Sequence, residues 1–209
     1  MHNNFLVDRS GKLSKSGGGA PLLGDLVERG YHPLAFRMMC LQAHYRRELE
    51  FSFASLDAAL TRLKRIVIAL EALRLAPADP LTRTEAGTAL LQRFDAEIAD
   101  DLMTPRALPI LEEMLARADL VPAERLSLVQ RIDEVLGLRL DSLSRAELRV
   151  RPAVATLDEA EVEAQLAKRR ALRARKDFAE ADRVRSLLWE AGVVVLDGDP
   201  LGWEWQVAA

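Results

Sequence analysis

Cysteine is almost missing from this chain. Cys40 is the one thiol in 209 residues, so an internal disulfide is excluded. Long apolar runs are missing too. The longest, such as Ile66–Leu70 and Val193–Leu196, fall far short of the roughly 20 residues a helix needs to cross a bilayer. The N-terminus has no basic patch followed by an apolar stretch, so no secretory signal is expected. Together these absences point to the cytoplasm. Lysine is scarce: five of the 29 basic residues are Lys, and two of them, Lys12 and Lys15, sit three apart. The formal charge of −3 argues against a general nucleic-acid coat. It does not exclude nucleic-acid binding, because the placement of charge decides that.

The hydrophobic share of 49% is that of an ordinary globular protein. The length suits two or three small domains. Residues 1–20 read as a short strand and a loop, with His2–Val7 mixed, a turn at Ser10-Gly11, and Ser16-Gly17-Gly18-Gly19 without regular structure. Leu22–Arg29 is expected as a short helix ended by Gly30. Pro33 opens another, running to about His44. Ser55 is expected to cap a long helix over 56–75, with Leu56, Leu60, Leu63, Val67 and Leu70 as its apolar stripe. Pro77 and Pro80 mark a linker. Three helical stretches follow, at 84–99, from Thr104-Pro105 to about Ala118, and from Val121-Pro122 to about Gly137. Residues 138–157 read as irregular. Thr156 to Glu159 has a capping-box pattern opening a helix to about Arg175. Asp177 restarts a helix that Gly192 ends, and Val193–Leu196 with Trp203–Val207 suggests a terminal β-hairpin. The expected fold is mainly α, with a small β element at each end.

Two stretches carry chemistry. Lys12-Leu13-Ser14-Lys15-Ser16 places two ammonium groups and two hydroxyls on a loop that can fold over a polyphosphate. The second lies between Glu161 and Arg185, where eight basic residues face five acidic ones. There Arg169, Arg173, Lys176 and Arg183 can meet phosphates, a salt-sensitive and sequence-blind contribution. Reading single-stranded bases also needs stacking rings and hydrogen-bonding groups for base edges. Phe178 and Trp205 are either such rings or core residues. Cys40 and His44 sit four apart on one helix face, but two ligands do not make a structural zinc site. Cys40 therefore reads as a packed thiol, and no metal site is expected.

Lys12–Ser16 resembles the Lys-Met-Ser-Lys-Ser loop of class I aminoacyl-tRNA synthetases, with Leu13 in place of Met. The run Met1-His2-Asn3-Asn4-Phe5-Leu6 before Gly11-Lys12 resembles the approach to that loop in cysteinyl-tRNA synthetases. Ala35-Phe36-Arg37 with Ala43-His44-Tyr45-Arg46 resembles the family's next helix. Ala99 to Pro105 resembles its acidic run ending in Asn-Thr-Pro, with Met103 for Asn. Arg173 to Phe178, Ala181-Asp182, and Pro200 to Trp205 resemble its C-terminal domain. These motifs occur in the family's order along essentially the whole chain.

The resemblance implies ATP-dependent attachment of cysteine to tRNA(Cys). Lys12 and Lys15 would be catalytic, and Lys12, Ser14, Lys15 and Ser16 would contact ATP. Arg169, Arg173, Lys176, Phe178, Asp182 and Trp205 would contact tRNA. It also implies four parts. Residues 1–20 would end the catalytic domain, and 21–76 would be a stem-contact-like segment. Residues 80–142 would form a DALR-like helical bundle, and 155–209 a small α+β anticodon-binding domain. The family's His-Ile-Gly-His motif and its zinc ligands do not occur in this sequence, so the chain is expected to be inactive alone. It would be a piece of the synthetase, or else a stand-alone tRNA-binding module or the partner half of a split enzyme. A small-molecule cysteine ligase fits less well, because that relative resembles the catalytic half. Two departures stand out. Gly17-Gly18-Gly19 replaces the family's Leu-Gly-Asn, and Asp197-Gly198 replaces a Glu-Asp pair.

Overall fold

The computed structural model describes residues 6–8, 11–12, 21–77 and 83–207. Among these are eight helices and five short strands, so the chain is mainly α with a terminal hairpin, as its periodicity predicts. Contacts divide it into two compact units. One comprises Pro33–Leu148 with the N-terminal strands, and the other Pro21–His32 with Arg149–Ala209.

In the first unit, β1 (Leu6–Asp8) pairs antiparallel with β2 (Gly11–Lys12). It also pairs in parallel with β3 (Leu49–Glu50), a strand too short for sequence periodicity to reveal. The second unit opens with α1 (Leu23–Glu28). Gly30 ends that helix at φ 94°, and a Cβ there would lie 2.9 Å from the Pro152 ring. Glycine is required at this position both for the left-handed backbone and for the close approach. The backbone amide of Ala153 donates to the Glu28 carbonyl at 2.7 Å. Residues 21–32 thereby group with the C-terminal stretch rather than with 33–76.

The remaining helices of the first unit are α2 (Pro33–Leu41), α3 (Phe53–Arg74), α4 (Glu85–Ala99), α5 (Thr104–Ala116) and α6 (Pro122–Leu136). Ser52, not Ser55, caps α3. Its hydroxyl accepts from the Ser55 amide, and the Ser55 hydroxyl accepts from the Ser52 amide, a reciprocal box three residues earlier than expected. The predicted stripe Leu56, Leu60, Leu63, Val67 and Leu70 is buried, joined by Ile66 and Leu73. Met103, rather than Thr104, is the N-cap residue of α5, and it supplies no side-chain bond. Gly137 closes α6 in the left-handed region. Arg37 lies against it and donates from Nε to the Leu136 carbonyl at 2.6 Å, placing a cation where the helix dipole is negative.

Two motifs singled out in the sequence meet in this unit. Asp101 and Leu102 both adopt left-handed φ, 56° and 57°, which costs each of them about 1 kcal/mol. Three consecutive side chains hold Asp101 there. His44 Nε2 lies 2.8 Å from its carbonyl, Tyr45 donates its hydroxyl to the carboxylate at 2.5 Å, and Arg46 Nε lies 3.0 Å from the other carboxylate oxygen. The Ala43-His44-Tyr45-Arg46 segment is therefore a clamp on the α4–α5 turn.

A second device joins α4 to α6. Thr84 caps α4 by accepting from the Gly87 amide at 2.9 Å. Its own amide and hydroxyl donate to Glu124 Oε1 at 2.7 and 3.0 Å. Glu124 is only 2% exposed, and these two donors at the start of α4 offset part of the cost of burying it. A Cβ on Gly87 would sit 2.3 Å from Glu124 Oε1. Gly87→Ala should therefore destabilise by about 1–3 kcal/mol in urea unfolding, overriding the roughly 1 kcal/mol that alanine ordinarily gains in a helix. Glu124→Ala in the same background should be clearly less than additive, since the clash is then gone. Additive costs would show that Gly87 and Glu124 do not interact.

Candidate nucleic-acid interface

The second unit is built on α7 (Glu159–Ala174), α8 (Phe178–Glu190) and the hairpin β4 (Val193–Val195) with β5 (Trp203–Trp205). Asp158 caps α7 in a box with Glu161: its carboxylate accepts from the Glu161 amide, and Glu161 accepts from the Asp158 amide, each at 2.8 Å. The box thus starts at Asp158, not at Thr156. Lys176 bridges α7 and α8 at φ 62°. Its left-handed backbone lets the Asp177 amide reach the Leu172 carbonyl at 3.0 Å, and Asp177 then caps α8.

The core of this unit holds Val162, Leu166, Val184, Leu188, Val193, Val195, Trp203 and Trp205. Valines of β4 alternate across the hairpin from the two tryptophans in register Val193–Trp205 and Val195–Trp203. The indoles meet edge to face at 4.9 Å, a favourable quadrupole geometry. Trp203 donates to Glu163 at 2.7 Å, and the Arg149 guanidinium lies 3.8 Å from its ring centroid. Of the two rings weighed as core or stacking platform, Trp205 is core, at 5% exposure. As placed, it offers no face to a base. Phe178 is exposed.

Arg169 is also inside. It follows Val162 and Leu166 on the buried stripe of α7, and its side chain is 5% exposed. Both of its terminal nitrogens donate to Asp197, at 2.7 and 2.8 Å. This is a fork-to-fork pair of the strong kind. Its guanidinium serves the fold here rather than an external phosphate. Asp197 is then shared outward. Arg173 Nη1 lies 3.4 Å and Arg185 Nη1 4.0 Å from its Oδ2. One carboxylate thus sits among three arginines, two of them half-exposed, leaving an excess of positive charge at the surface. The hydrogen bond from Arg169 holds the Asp197 carboxyl below the usual carboxylate range, with the charges of Arg169, Arg173 and Arg185 adding to it against desolvation.

Arg173, Lys176, Phe178 and Asp182 are all exposed and lie together on α7, the intervening turn and the first turns of α8. Arg183 pairs with Glu180 on its own helix. Sequence reasoning missed Arg185 and the anchoring role of Asp197. One signal was available: Arg169 falls on the apolar spacing of α7, where an arginine demands a buried partner. Lys15, Ser14 and Ser16 lie outside the described residues, as does everything about Lys12 beyond its backbone in β2. Burial pushes the Cys40 thiol up, against the charge of Arg37. Among the described residues no group of three or more His, Cys, Asp or Glu side chains could hold a metal. No helix among them is long and apolar enough to cross a membrane.

Residues 159–200 match the family model described as the cysteinyl-tRNA ligase anticodon binding domain. The whole chain aligns with cysteine–tRNA ligase of Novosphingobium aromaticivorans at 53% identity, covering 42% of that protein. It aligns over 99% of its length with the Zymomonas mobilis enzyme at 47% identity, covering 46%. The chain belongs to the cysteinyl-tRNA synthetase family, as its C-terminal portion. It spans less than half the length of these curated relatives. Similarity extends to the Treponema denticola cysteine–tRNA ligase, 27% identical over 94% of this chain. The synthetase model covers the segment that contains Arg169, Arg173, Phe178, Asp182 and Asp197, and so coincides with the charged face described above.

The Arg169–Asp197 pair makes a pH prediction. Asp197 is depressed in the folded state, so its contribution is present above its unfolded value of about 3.9 and is lost as pH falls through the lower folded value. The native chain should therefore lose stability below about pH 4 in part through this group. Asp197→Asn should be less stable at pH 7 by about 1–2 kcal/mol, discounted because Asp197 is half-exposed. Its stability should change less below pH 4. Parallel acid profiles for the two proteins would remove Asp197 as an electrostatic anchor.

Proposed function

We propose that this chain supplies the tRNA-reading part of a cysteine–tRNA ligase, with Arg173, Lys176, Phe178 and Asp182 as its anticodon contacts. The observation that carries this reading is that all four are exposed along the α7–turn–α8 segment of the matched domain, next to the Arg173 and Arg185 cations around Asp197. Arg173 donates to a guanine edge, a bidentate geometry suited to a planar guanidinium. Asp182 accepts from an exocyclic amine, and Phe178 stacks on a base. Lys176 and Arg183 neutralise phosphates without reading sequence. Arg169 and Trp205 act from within, by fixing the surface on which these groups stand.

The Lys12–Ser16 loop belongs to the same reading through its motif. In the family reaction the cysteine carboxylate attacks the α-phosphorus of ATP and pyrophosphate leaves, giving cysteinyl-AMP; a terminal hydroxyl of tRNA(Cys) then takes the cysteinyl group and AMP leaves. Lys15, assisted by Lys12, would neutralise charge developing on the phosphates, and Ser14 and Ser16 would bond to them. The family's zinc is assigned no place here, because the described residues provide no ligand set for it. Catalysis would need the nucleotide-binding fold from elsewhere, so pyrophosphate exchange by this chain alone should be absent. A second reading, a stand-alone tRNA-binding module, rests on the same exposed face and shares its binding properties.

Gel-shift titrations with tRNA(Cys) and a non-cognate tRNA test the binding role. Cognate binding should be tighter. Arg173→Ala should cost about 1–3 kcal/mol on tRNA(Cys) and reduce discrimination. Lys176→Ala should weaken both tRNAs alike and lower the salt slope by about 0.7. Equal, salt-labile binding of both tRNAs by the native chain would contradict specific recognition.

A further inference from the structure

Trp189 has no part in the site described above, yet its indole is 60% exposed on α8. Single exposed apolar side chains are ordinary. What distinguishes Trp189 is its register. Phe178, Asp182, Arg185 and Trp189 stand at spacings of 4, 3 and 4, which is one stripe along a helix. All four are exposed. The stripe runs from the proposed stacking ring, past the proposed base acceptor and the half-exposed Arg185 beside Asp197, to a second large ring. Only the backbone carbonyl of Trp189 is used by the hairpin, accepting from Gln206 Nε2 at 3.1 Å. The ring itself is left to the outside.

Phe178 and Trp189 lie eleven helical steps apart, about 16 Å at 1.5 Å per residue. At about 3.4 Å per stacked nucleotide that is roughly five nucleotides, more than a triplet occupies. We propose that Trp189 is a second stacking platform, which binds a loop nucleotide outside the anticodon triplet and lengthens the RNA interface along α8. The occupant is single-stranded RNA because the stripe is continuous with the proposed anticodon face and because Arg173 and Arg185 leave it positively charged. An indole stacks on any base, so the contact adds affinity without base preference. This inference rests on the anticodon-binding reading.

The test uses the full chain and a stem-loop RNA carrying the anticodon arm of tRNA(Cys), with a series in which each loop nucleotide outside the triplet is made abasic in turn. Trp189→Ala should bind the intact stem-loop about tenfold more weakly, Trp189→Tyr should stay within about threefold, and all should melt like the native chain. Because Trp203 and Trp205 are buried, binding should quench the Trp189 emission, and Trp189→Phe should remove that quench. One abasic position outside the triplet should weaken the native chain about tenfold and Trp189→Ala no further. The inference fails if Trp189→Ala binds like the native chain, or if every abasic RNA is weakened equally in both proteins. If Phe178→Ala loses binding while Trp189→Ala does not, Trp189 alone is excluded and the anticodon reading stands. If the native chain does not bind the stem-loop at all, both are overturned.

Discussion

A guanidinium drawn into the core of the second unit keeps its charge, so its burial is tolerated only if a carboxylate follows it. Arg169 and Asp197 satisfy that requirement with two parallel hydrogen bonds. The pair ties the middle of α7 to the turn that leaves β4. The position of the hairpin relative to the helices then follows, and with it the stacking of Trp203 and Trp205 beneath. The second oxygen of Asp197 also faces Arg173 and Arg185. A single carboxylate thus anchors the interior and sets the spacing of the cations outside.

That arrangement separates two uses of aromatic side chains. Trp203 and Trp205 close the core from a two-stranded hairpin, which has too few residues to bury an apolar face without large rings. Phe178 and Trp189 stand exposed on α8 of the same small domain. The inward rings secure the geometry and the outward ones remain available to bases. The acidic overall composition is compatible with this division, because the cations are concentrated where the RNA is proposed to lie.

The first unit uses comparable physics for a different end. Glu124 is a buried acid held by the capped start of α4, and Asp101 is a left-handed residue held by three neighbours in sequence. Each is a locally unfavourable state, made stable by hydrogen bonds from a distant segment. Each occurs where helices must meet at a defined turn. Their donors come from sequence separations of 40 to 57 residues, so these turns depend on tertiary packing.

Helical periodicity, proline positions and terminating glycines located the helices and the terminal hairpin. They did so because these signals act within a few residues of chain. The family motifs were equally legible, as residue order is all they require. Sequence was less reliable where two local solutions compete: Ser52 and Ser55 both suit an N-cap, as do Thr156 and Asp158, and packing chose between them. The apolar spacing of α7 put Arg169 on the inward stripe, but it could not reveal which carboxylate Arg169 meets, that Trp205 is core while Trp189 is not, or that Asp197 joins three arginines. Those outcomes depend on which groups are brought within a few ångströms by the fold, and a buried charge or ring is stable only once that partner is present. The sequence by itself determined the elements and the chemical inventory; the tertiary structure decided which members of that inventory face the solvent.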